Sequence, residues 1–232
     1  MRQRPNALML FAAGFGTRMA PLTAGRPKPL IEVGGRALID HAFAQIDGAD
    51  IGKIVINLHY LGPMIRNHLA GRKDVVFSEE TPMLLDTGGG LRHALPKLGS
   101  GPVYTLNTDA VWTGGNALRQ LADGWNRAQM GGLLLLMPKD RALGHVGPGD
   151  FAMDAEGRLT RGKDYIYTGA QLITTDLLAA IAKPVFSLNR VWDLLLADGQ
   201  LFGLVHNGGW CDVGRPDAIP LAETLLNGGT HV

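Results

Sequence analysis

Short apolar runs alternate with stretches of helical spacing along the first third of the chain. NALMLFAA, KIVINL and DVVFSEE are rich in Val, Ile and Leu, whereas ALIDHAFAQI and GPMIRNHLA between them repeat apolar positions at helical intervals. Buried parallel strands have this composition, and the intervening helices cover both faces of their sheet. The pattern predicts an α/β fold, a three-layer sandwich of Rossmann-like layout.

The same alternation continues to the end of the chain, with one change of character. Helices are predicted near 89–95 and 117–127, and strands at PVYTLNT and GLLLLM. Over 150–173 short alternating segments surround a hairpin signal at AEG, which predicts an antiparallel insertion and a mixed, mostly parallel sheet. A helix at NRVWDLLLADG, a strand at LFGLVH and a last helix, kinked or restarted by Pro220, complete the single domain predicted for 1–232.

Charge and composition favour a small-molecule partner. The 22 basic and 21 acidic residues give a net charge of +1 without long runs of either sign, so neither nucleic acid nor an anionic membrane is an expected partner. No apolar run approaches the ~20 residues of a membrane span. A lone cysteine, Cys211, excludes an intrachain disulfide and favours the cytoplasm. The composition carries no prediction of the oligomeric state.

The N-terminal stretch MRQRPNALMLFAAG has two interpretations. Two arginines before an apolar run are typical of a signal peptide. The run, however, continues directly into a glycine-rich turn, which favours a buried first strand.

That turn, GFGTRM, is the first candidate for chemistry. Ligands of open parallel sheets bind beyond the carboxyl ends of the strands, and Gly14 and Gly16 allow close backbone approach and an anion-binding nest of N–H groups. Met19 occupies the third position of a dinucleotide fingerprint, and the phosphate loop G-x-x-x-x-G-K-[ST] is absent. Arg18 and Lys28, the latter between two prolines, are two preorganised cations that suit a triphosphate, although a solvated surface turn is the alternative.

The motifs FAAGFGTRMAPLT and RPKPL resemble the signature of the sugar-1-phosphate nucleotidyltransferase family. The resemblance extends through LDTGGGLRHALPKLG, NTDAVWT, GPGDF and WCDVGRPDAI. Within this family, the chain is most similar to the short bacterial enzymes that uridylylate N-acetylmuramate 1-phosphate in peptidoglycan recycling. The resemblance implies Mg²⁺ as cofactor, and UTP and a sugar 1-phosphate as substrates that yield a UDP-sugar and pyrophosphate. The additional C-terminal β-helix of longer members is not expected.

The resemblance also implies roles for individual residues. Arg18 and Lys28 would be catalytic, and Asp109 and Asp212 would bind the metal. Nucleotide binding is expected of Ala12, Ala13, Gly14, Gly16, Thr17, Asp86, Gly88 and Gly89. Sugar binding is expected of Asn57, Asp150, Lys163, Thr168 and Gly169. Ala20 departs from the family, because many relatives have a second basic residue there.

The residues alone leave these roles open. Asp109 follows a predicted strand, and so lies at a carboxyl edge, as does Asp212, but their spacing does not bring them together. Each aspartate, Asp86 included, is otherwise a cap or turn residue. Lys163 is otherwise a solvated lysine.

Two further functions compete with uridylyl transfer. One is guanylyl or cytidylyl transfer to mannose 1-phosphate or a phospho-alcohol, because backbone contacts that choose the base are poorly encoded in sequence. The other is a non-catalytic regulatory protein that binds a nucleotide sugar. The presence of the complete set of two cations and two aspartates favours an enzyme. His41 and Cys211 are interpreted as structural residues.

Overall fold

The predicted alternation of strands and helices is present in the computed structural model, which describes residues 5–228. Residues 1–4, with both arginines of the signal-like stretch, and 229–232 lie outside this range, and the single domain predicted for 1–232 stays a prediction. The strands are β1 Ala7–Phe11, β2 Glu32–Val33, β3 Arg36–Ala37, β4 Lys53–Leu58, β5 Val75–Glu79, β6 Val103–Asn107, β7 Ala110–Trp112, β8 Gly132–Pro138, β9 Phe151–Met153, β10 Leu159–Arg161, β11 Tyr165–Ile173, β12 Leu201–Val205 and β13 Trp210–Asp212. The helices are α1 Leu38–Asp47, α2 Gly62–His68, α3 Asp86–Leu98, α4 Ala117–Gly124, α5 Asn189–Ala197 and α6 Ala218–Leu226.

The central sheet is mixed, as the sequence predicted. Strands β6, β1, β4 and β5 are neighbours in this order and run parallel. On the other side β11 pairs antiparallel with both β6 and β8, and β12 adds to β8 in parallel. The hairpin of β9 and β10 joins through β11, which confirms the antiparallel insertion. The ends of β1, β4 and β6 therefore meet at one edge, where a ligand site is expected.

Both faces of the sheet are buried, which explains the near-continuous apolar runs. Along β1, Leu8 and Leu10 contribute to one core cluster and Met9 to the other, because successive side chains point to opposite faces. Helix α1 packs in the first cluster and α3 in the second. The predicted three layers are confirmed.

Three helices have bounds that differ from the predictions. Helix α3 covers Asp86–Leu98 rather than 89–95, and α4 ends at Gly124. Helix α6 begins at Ala218, so Pro220 lies in its first turn, where a backbone N–H has no intrahelical partner to lose. Within residues 5–228, no helix has both the length and the apolar character needed to cross a bilayer.

Candidate active site

A cleft of about 220 Å³ opens where β1, β4 and β6 end. Its walls come from the loop after β1, the lysine loop, the start of α3 and the loop after β6. The lining residues are Phe11, Ala12, Ala13, Gly14, Gly16, Lys28, Pro29, Asn57, Leu84, Asp86, Thr87, Asn107, Thr108 and Asp109. Eight residues selected from the sequence thus line one cavity.

The two glycines of the first loop serve different purposes. Gly16 has a left-handed φ of 63°, and a Cβ atom there would lie 2.9 Å from the Cβ of Lys28. Its carbonyl accepts a hydrogen bond from the Thr23 hydroxyl at 3.0 Å. A Cβ on Gly14 would meet no atom within 4 Å. Gly16 is therefore required for packing, whereas Gly14, which lines the cleft, has open space beside it.

Lys28 and Asp109 form an ion pair at the base of the cleft. The Nζ atom of Lys28 lies 2.8 Å from Oδ2 of Asp109, and the two side chains are 12% and 29% exposed. Lys28 begins a short 3₁₀ turn behind Pro27, and Asp109 follows β6. A lysine that is preorganised beside a carboxylate places positive charge where a phosphate would enter.

Asp212 reaches Asp109 through a two-stranded ribbon that the sequence did not reveal. Strands β7 and β13 pair antiparallel with Asp212 opposite Ala110, and Val213 N–H donates to the carbonyl of Asp109 at 2.7 Å. Burial and the neighbouring Asp109 carboxylate raise the pKa of Asp212 to about 6. The ribbon therefore brings the segments of these two aspartates together, and their role as metal ligands, which the family resemblance implies, stays a prediction.

This pair of carboxylates suits a hard divalent cation. Mg²⁺ typically takes one or two carboxylates and completes its shell with phosphate oxygens and water. No cluster of three or more His, Cys, Asp or Glu side chains able to hold a metal occurs between residues 5 and 228. Asp109 and Asp212 would supply two carboxylates to such an ion, and substrate oxygens and water would complete its shell.

Arg18 and Thr17 lie exposed on the 3₁₀ turn that follows Gly16. The buried neighbour Met19 anchors this turn in the third core cluster. Arg18 is near enough to Asp212 to oppose the rise in its pKa, yet among residues 5–228 it has no hydrogen bond or ion pair. The guanidinium is thus available to an anionic ligand.

The three residues predicted to bind the nucleotide at the start of α3 have different surroundings. Asp86 lines the cleft, has a left-handed φ of 62°, and its Oδ1 accepts from Thr87 N–H at 2.6 Å. Gly88 and Gly89 instead donate their N–H groups to Phe186 O, and a Cβ on Gly88 would lie 2.4 Å from the Phe186 ring. Close packing therefore explains both glycines, and their expected contact with the base stays a prediction.

The predicted sugar-binding side chains have other partners. The buried hydroxyl of Thr168 donates to Leu135 O at 2.6 Å, so its one proton is used in the sheet, and its expected contact with the sugar stays a prediction. Asp150 Oδ2 accepts from Tyr167 N–H at 2.9 Å.

Gly169 and Lys163 contribute to this region differently. Gly169 has a left-handed φ of 87°, and a Cβ there would lie 2.9 Å from Asn107, which lines the cleft. Lys163 is exposed beside Lys139 and outside the cleft lining. Their expected sugar contacts stay predictions.

Asn57 lines the cleft and bonds to two neighbouring segments. Its Oδ1 accepts from Ala12 N–H at 2.8 Å, and its Nδ2 donates to Glu80 Oε1 at 2.7 Å. One polar bond is formed at each end of the amide, so the side chain fixes the first loop, and its expected contact with the sugar stays a prediction.

Sequence reasoning missed Glu80, Asn107 and Thr108. Each directly follows or ends a strand at the ligand edge of the sheet, which is the signal that could have found them. Thr108 donates to Phe11 O at 2.8 Å and so joins the ends of β1 and β6.

The two residues interpreted as structural are buried. Nε2 of His41 lies 2.9 Å from Val33 O, and burial lowers the pKa of this histidine. Burial likewise raises the pKa of Cys211 to about 12, which leaves the thiol protonated and unreactive at neutral pH.

Comparison with known proteins assigns this site to a class. The chain belongs to the family of MobA-like NTP transferase domains, whose profile matches residues 8–147. The resemblance to nucleotidyltransferases is thereby confirmed, and the chain is a nucleotidyltransferase.

Individual proteins show which nucleotidyltransferases this chain resembles. The chain is 38% identical to N-acetylmuramate alpha-1-phosphate uridylyltransferase of Caulobacter vibrioides, over 97% of this chain and 99% of the relative. It is 30% identical to the protein of the same name from Neisseria meningitidis serogroup B, over 94% and 96%. A putative glucose-1-phosphate thymidylyltransferase from Bacillus anthracis has the same fold, with a TM-score of 0.77, 18% identity and 97% coverage of both chains.

Proposed function

We propose that this protein transfers a uridylyl group from UTP to N-acetylmuramate 1-phosphate, releasing pyrophosphate. The observation that supports the chemistry is the single cleft that unites the open loop at Gly14, the cation Lys28 and the carboxylate Asp109. The choice of base and sugar is supported by the two uridylyltransferase relatives, which match nearly the whole chain. The product would serve the reuse of cell-wall sugars in the cytoplasm.

The reaction is a displacement at phosphorus. A phosphate oxygen of the sugar 1-phosphate forms a bond to the α-phosphorus of UTP, and the bond to the β-phosphate bridging oxygen breaks. The leaving pyrophosphate takes the electron pair. Such reactions need positioning and charge stabilisation rather than a covalent nucleophile, which agrees with the protonated thiol of Cys211.

The residues of the cleft divide this task. The backbone around Gly14 would approach the phosphates closely, and Lys28 would neutralise charge near the attacked phosphorus. Arg18, exposed and without an ion-pair partner among residues 5–228, would bind the β- and γ-phosphates and stabilise the leaving pyrophosphate. Asp109 and Asp212 would hold Mg²⁺, which when bound neutralises phosphate charge.

The test is release of pyrophosphate in a matrix of substrates. UTP, GTP, CTP and ATP are each combined with N-acetylmuramate 1-phosphate, N-acetylglucosamine 1-phosphate, glucose 1-phosphate and mannose 1-phosphate in the presence of Mg²⁺. The expected result is the highest kcat/KM for UTP with the muramate. Preference for another pair would retain nucleotidyl transfer and overturn the substrate assignment. No release from any pair would overturn the proposed activity and favour a nucleotide-sugar-binding regulator.

A further inference from the structure

A buried chain of hydrogen bonds joins two walls of the cleft. It begins at Ala12 N–H, which donates to Asn57 Oδ1 at 2.8 Å. Asn57 Nδ2 donates to Glu80 Oε1 at 2.7 Å, and Glu80 Oε2 accepts from Leu85 N–H at 2.7 Å. Asn57 and Glu80 are only 4% and 1% exposed. The loop after β1 is thus connected to the residue that precedes α3.

The two ends of this bridge determine the chemistry of its centre. The backbone N–H groups of Ala12 and Leu85 can only donate. The oxygen of Asn57 must therefore face Ala12, and its amide nitrogen must face position 80. Position 80 then needs an acceptor on both sides. A carboxylate provides two acceptor oxygens, whereas an amide provides only one.

The Glu80 carboxylate is buried in surroundings that make its charge energetically unfavourable but leave space for it. Among residues 5–228, Glu80 has no ion-pair partner, although burying a carboxylate without a cation is unfavourable. The absent side chain of Gly90 provides the space, because a Cβ there would lie 2.4 Å from Glu80 Oε1. The bridge is therefore a specific arrangement rather than a general way to fill the core.

We propose that Glu80 is a positioning residue for the nucleotide, which it serves through Asn57 and Leu85. By binding both, it sets the separation between the Ala12–Gly14 backbone and the start of α3, and both line the cleft. The inference rests on the proposed function, because a nucleoside triphosphate is the ligand that these walls would enclose. It assigns Asn57 to the same task instead of contact with the sugar.

An exchange of the two side chains tests the bridge directly. Glu80→Gln places an amide nitrogen against one N–H donor, and Asn57→Asp places a second carboxylate against Glu80. In the double variant Asn57→Asp/Glu80→Gln, every bond has a donor and an acceptor again. The introduced carboxylate accepts from Ala12 N–H and from the introduced amide, whose oxygen accepts from Leu85 N–H. The formal charge of the bridge is also restored.

Two measurements on the full chain decide the outcome. Calorimetric titration with UTP and Mg²⁺ is expected to show about tenfold weaker binding in each single variant and recovery to within about twofold in the double variant. Hydrogen exchange without nucleotide is expected to accelerate at the amides of Ala12 and Leu85 in the single variants and to recover in the double variant. Glu79→Gln, which removes the neighbouring exposed carboxylate paired with Arg66, is the matched control and should change neither.

Three results would overturn the proposal. Single variants with faster exchange but unchanged UTP affinity would show that the bridge serves stability alone. Unchanged exchange at both amides would show that the bridge does not restrain them. If the double variant binds UTP as weakly as the weaker-binding single variant, the arrangement of donors and acceptors in the bridge does not cause the loss of affinity. Wild-type protein that binds no UTP would instead overturn the proposed function, and this inference with it.

Discussion

The proposed nucleotide side and the proposed sugar side of this site are built differently. On the proposed nucleotide side, the Ala12–Gly16 loop presents backbone, and Gly14 lines the cleft with open space beside it. On the sugar side, Thr168 and Asp150 use their polar atoms to hold strands and turns together. The first side depends on a short continuous motif, and the second on the register of β8, β9 and β11. A continuous motif can be interpreted from sequence, whereas register cannot.

The ribbon of β7 and β13 connects Asp109 with the segment of Asp212 through the bond from Val213 N–H to Asp109 O. The largest effect is expected there. Asp109→Asn removes a proposed metal ligand and the partner of Lys28, so kcat should fall about 1000-fold, in line with several kcal/mol of lost charge stabilisation. Steady-state pyrophosphate release measures this loss. Asp198→Asn, at an exposed carboxylate after α5, should keep wild-type kcat. A comparable fall in kcat in this control would show that the effect is not specific to Asp109.

A pair of glycine substitutions separates packing from ligand space within the first loop. Gly16→Ala forces a methyl group toward Lys28 in a left-handed conformation, which should lower the free energy of unfolding by about 1–2 kcal/mol and kcat by at least about tenfold. Gly14→Ala should leave stability unchanged and raise the KM for UTP about tenfold, because its methyl group enters space kept for the ligand. Urea denaturation and kinetics measure both. An unchanged KM in Gly14→Ala would contradict the proposed use of that space.

A second pair of variants tests the sugar side. Thr168→Val loses the buried bond to Leu135 O, so it should lower the free energy of unfolding by about 1 kcal/mol and change the KM for the sugar phosphate less than about twofold. Lys163→Ala, at an exposed position, should raise this KM about tenfold without loss of stability. Kinetics with varied sugar phosphate distinguish them. The opposite pattern would favour Thr168 over Lys163 as the sugar contact.

The smallest expected effect is a pH dependence of the free energy of unfolding, which we assign to His206 beside strand β7. His206 stacks edge-on against Trp112 with 5.2 Å between ring centroids, and burial lowers its pKa below the ordinary 6.5. Its Nε2 lies 3.0 Å from Thr113 O and its Nδ1 2.9 Å from the Gln120 amide nitrogen, so the bonded ring is neutral. Below pH 6.5 the unfolded chain takes up a proton that the folded ring does not, and stability falls.

Melting temperatures at pH 7.5 and 5.5 measure this effect. His206→Gln should reduce the loss of unfolding free energy between these pH values by about 1 kcal/mol. The exposed control His93→Gln should not. Equal losses in wild type and His206→Gln would contradict the assigned role.

Sequence predicted the elements of the fold better than their contacts. The apolar runs located the core strands, because strands buried on both faces must be apolar throughout. The loop from Ala12 to Gly16 and Lys28 were found because they form two short motifs that converge on one cleft. The ribbon that joins Asp109 to Asp212 escaped prediction, since it depends on pairing between strands about a hundred residues apart.

Burial of polar atoms was the other property that sequence concealed. Asn57 and Thr168 are polar residues at strand ends or within strands, and only the structure shows that their polar atoms bond to buried partners. Glu80 escaped attention for the same reason, because its partners Asn57 and Leu85 belong to other elements.

The central claim is that Asp109 and Asp212 form one metal and triphosphate centre where β7 and β13 meet. Mn²⁺ serves as a paramagnetic substitute for Mg²⁺ and can be counted by electron paramagnetic resonance. In the presence of UTP, wild-type protein should bind one Mn²⁺ per chain tightly, and Asp109→Asn and Asp212→Asn should each lose this ion. Equal Mn²⁺ binding by wild type and both variants would contradict the account.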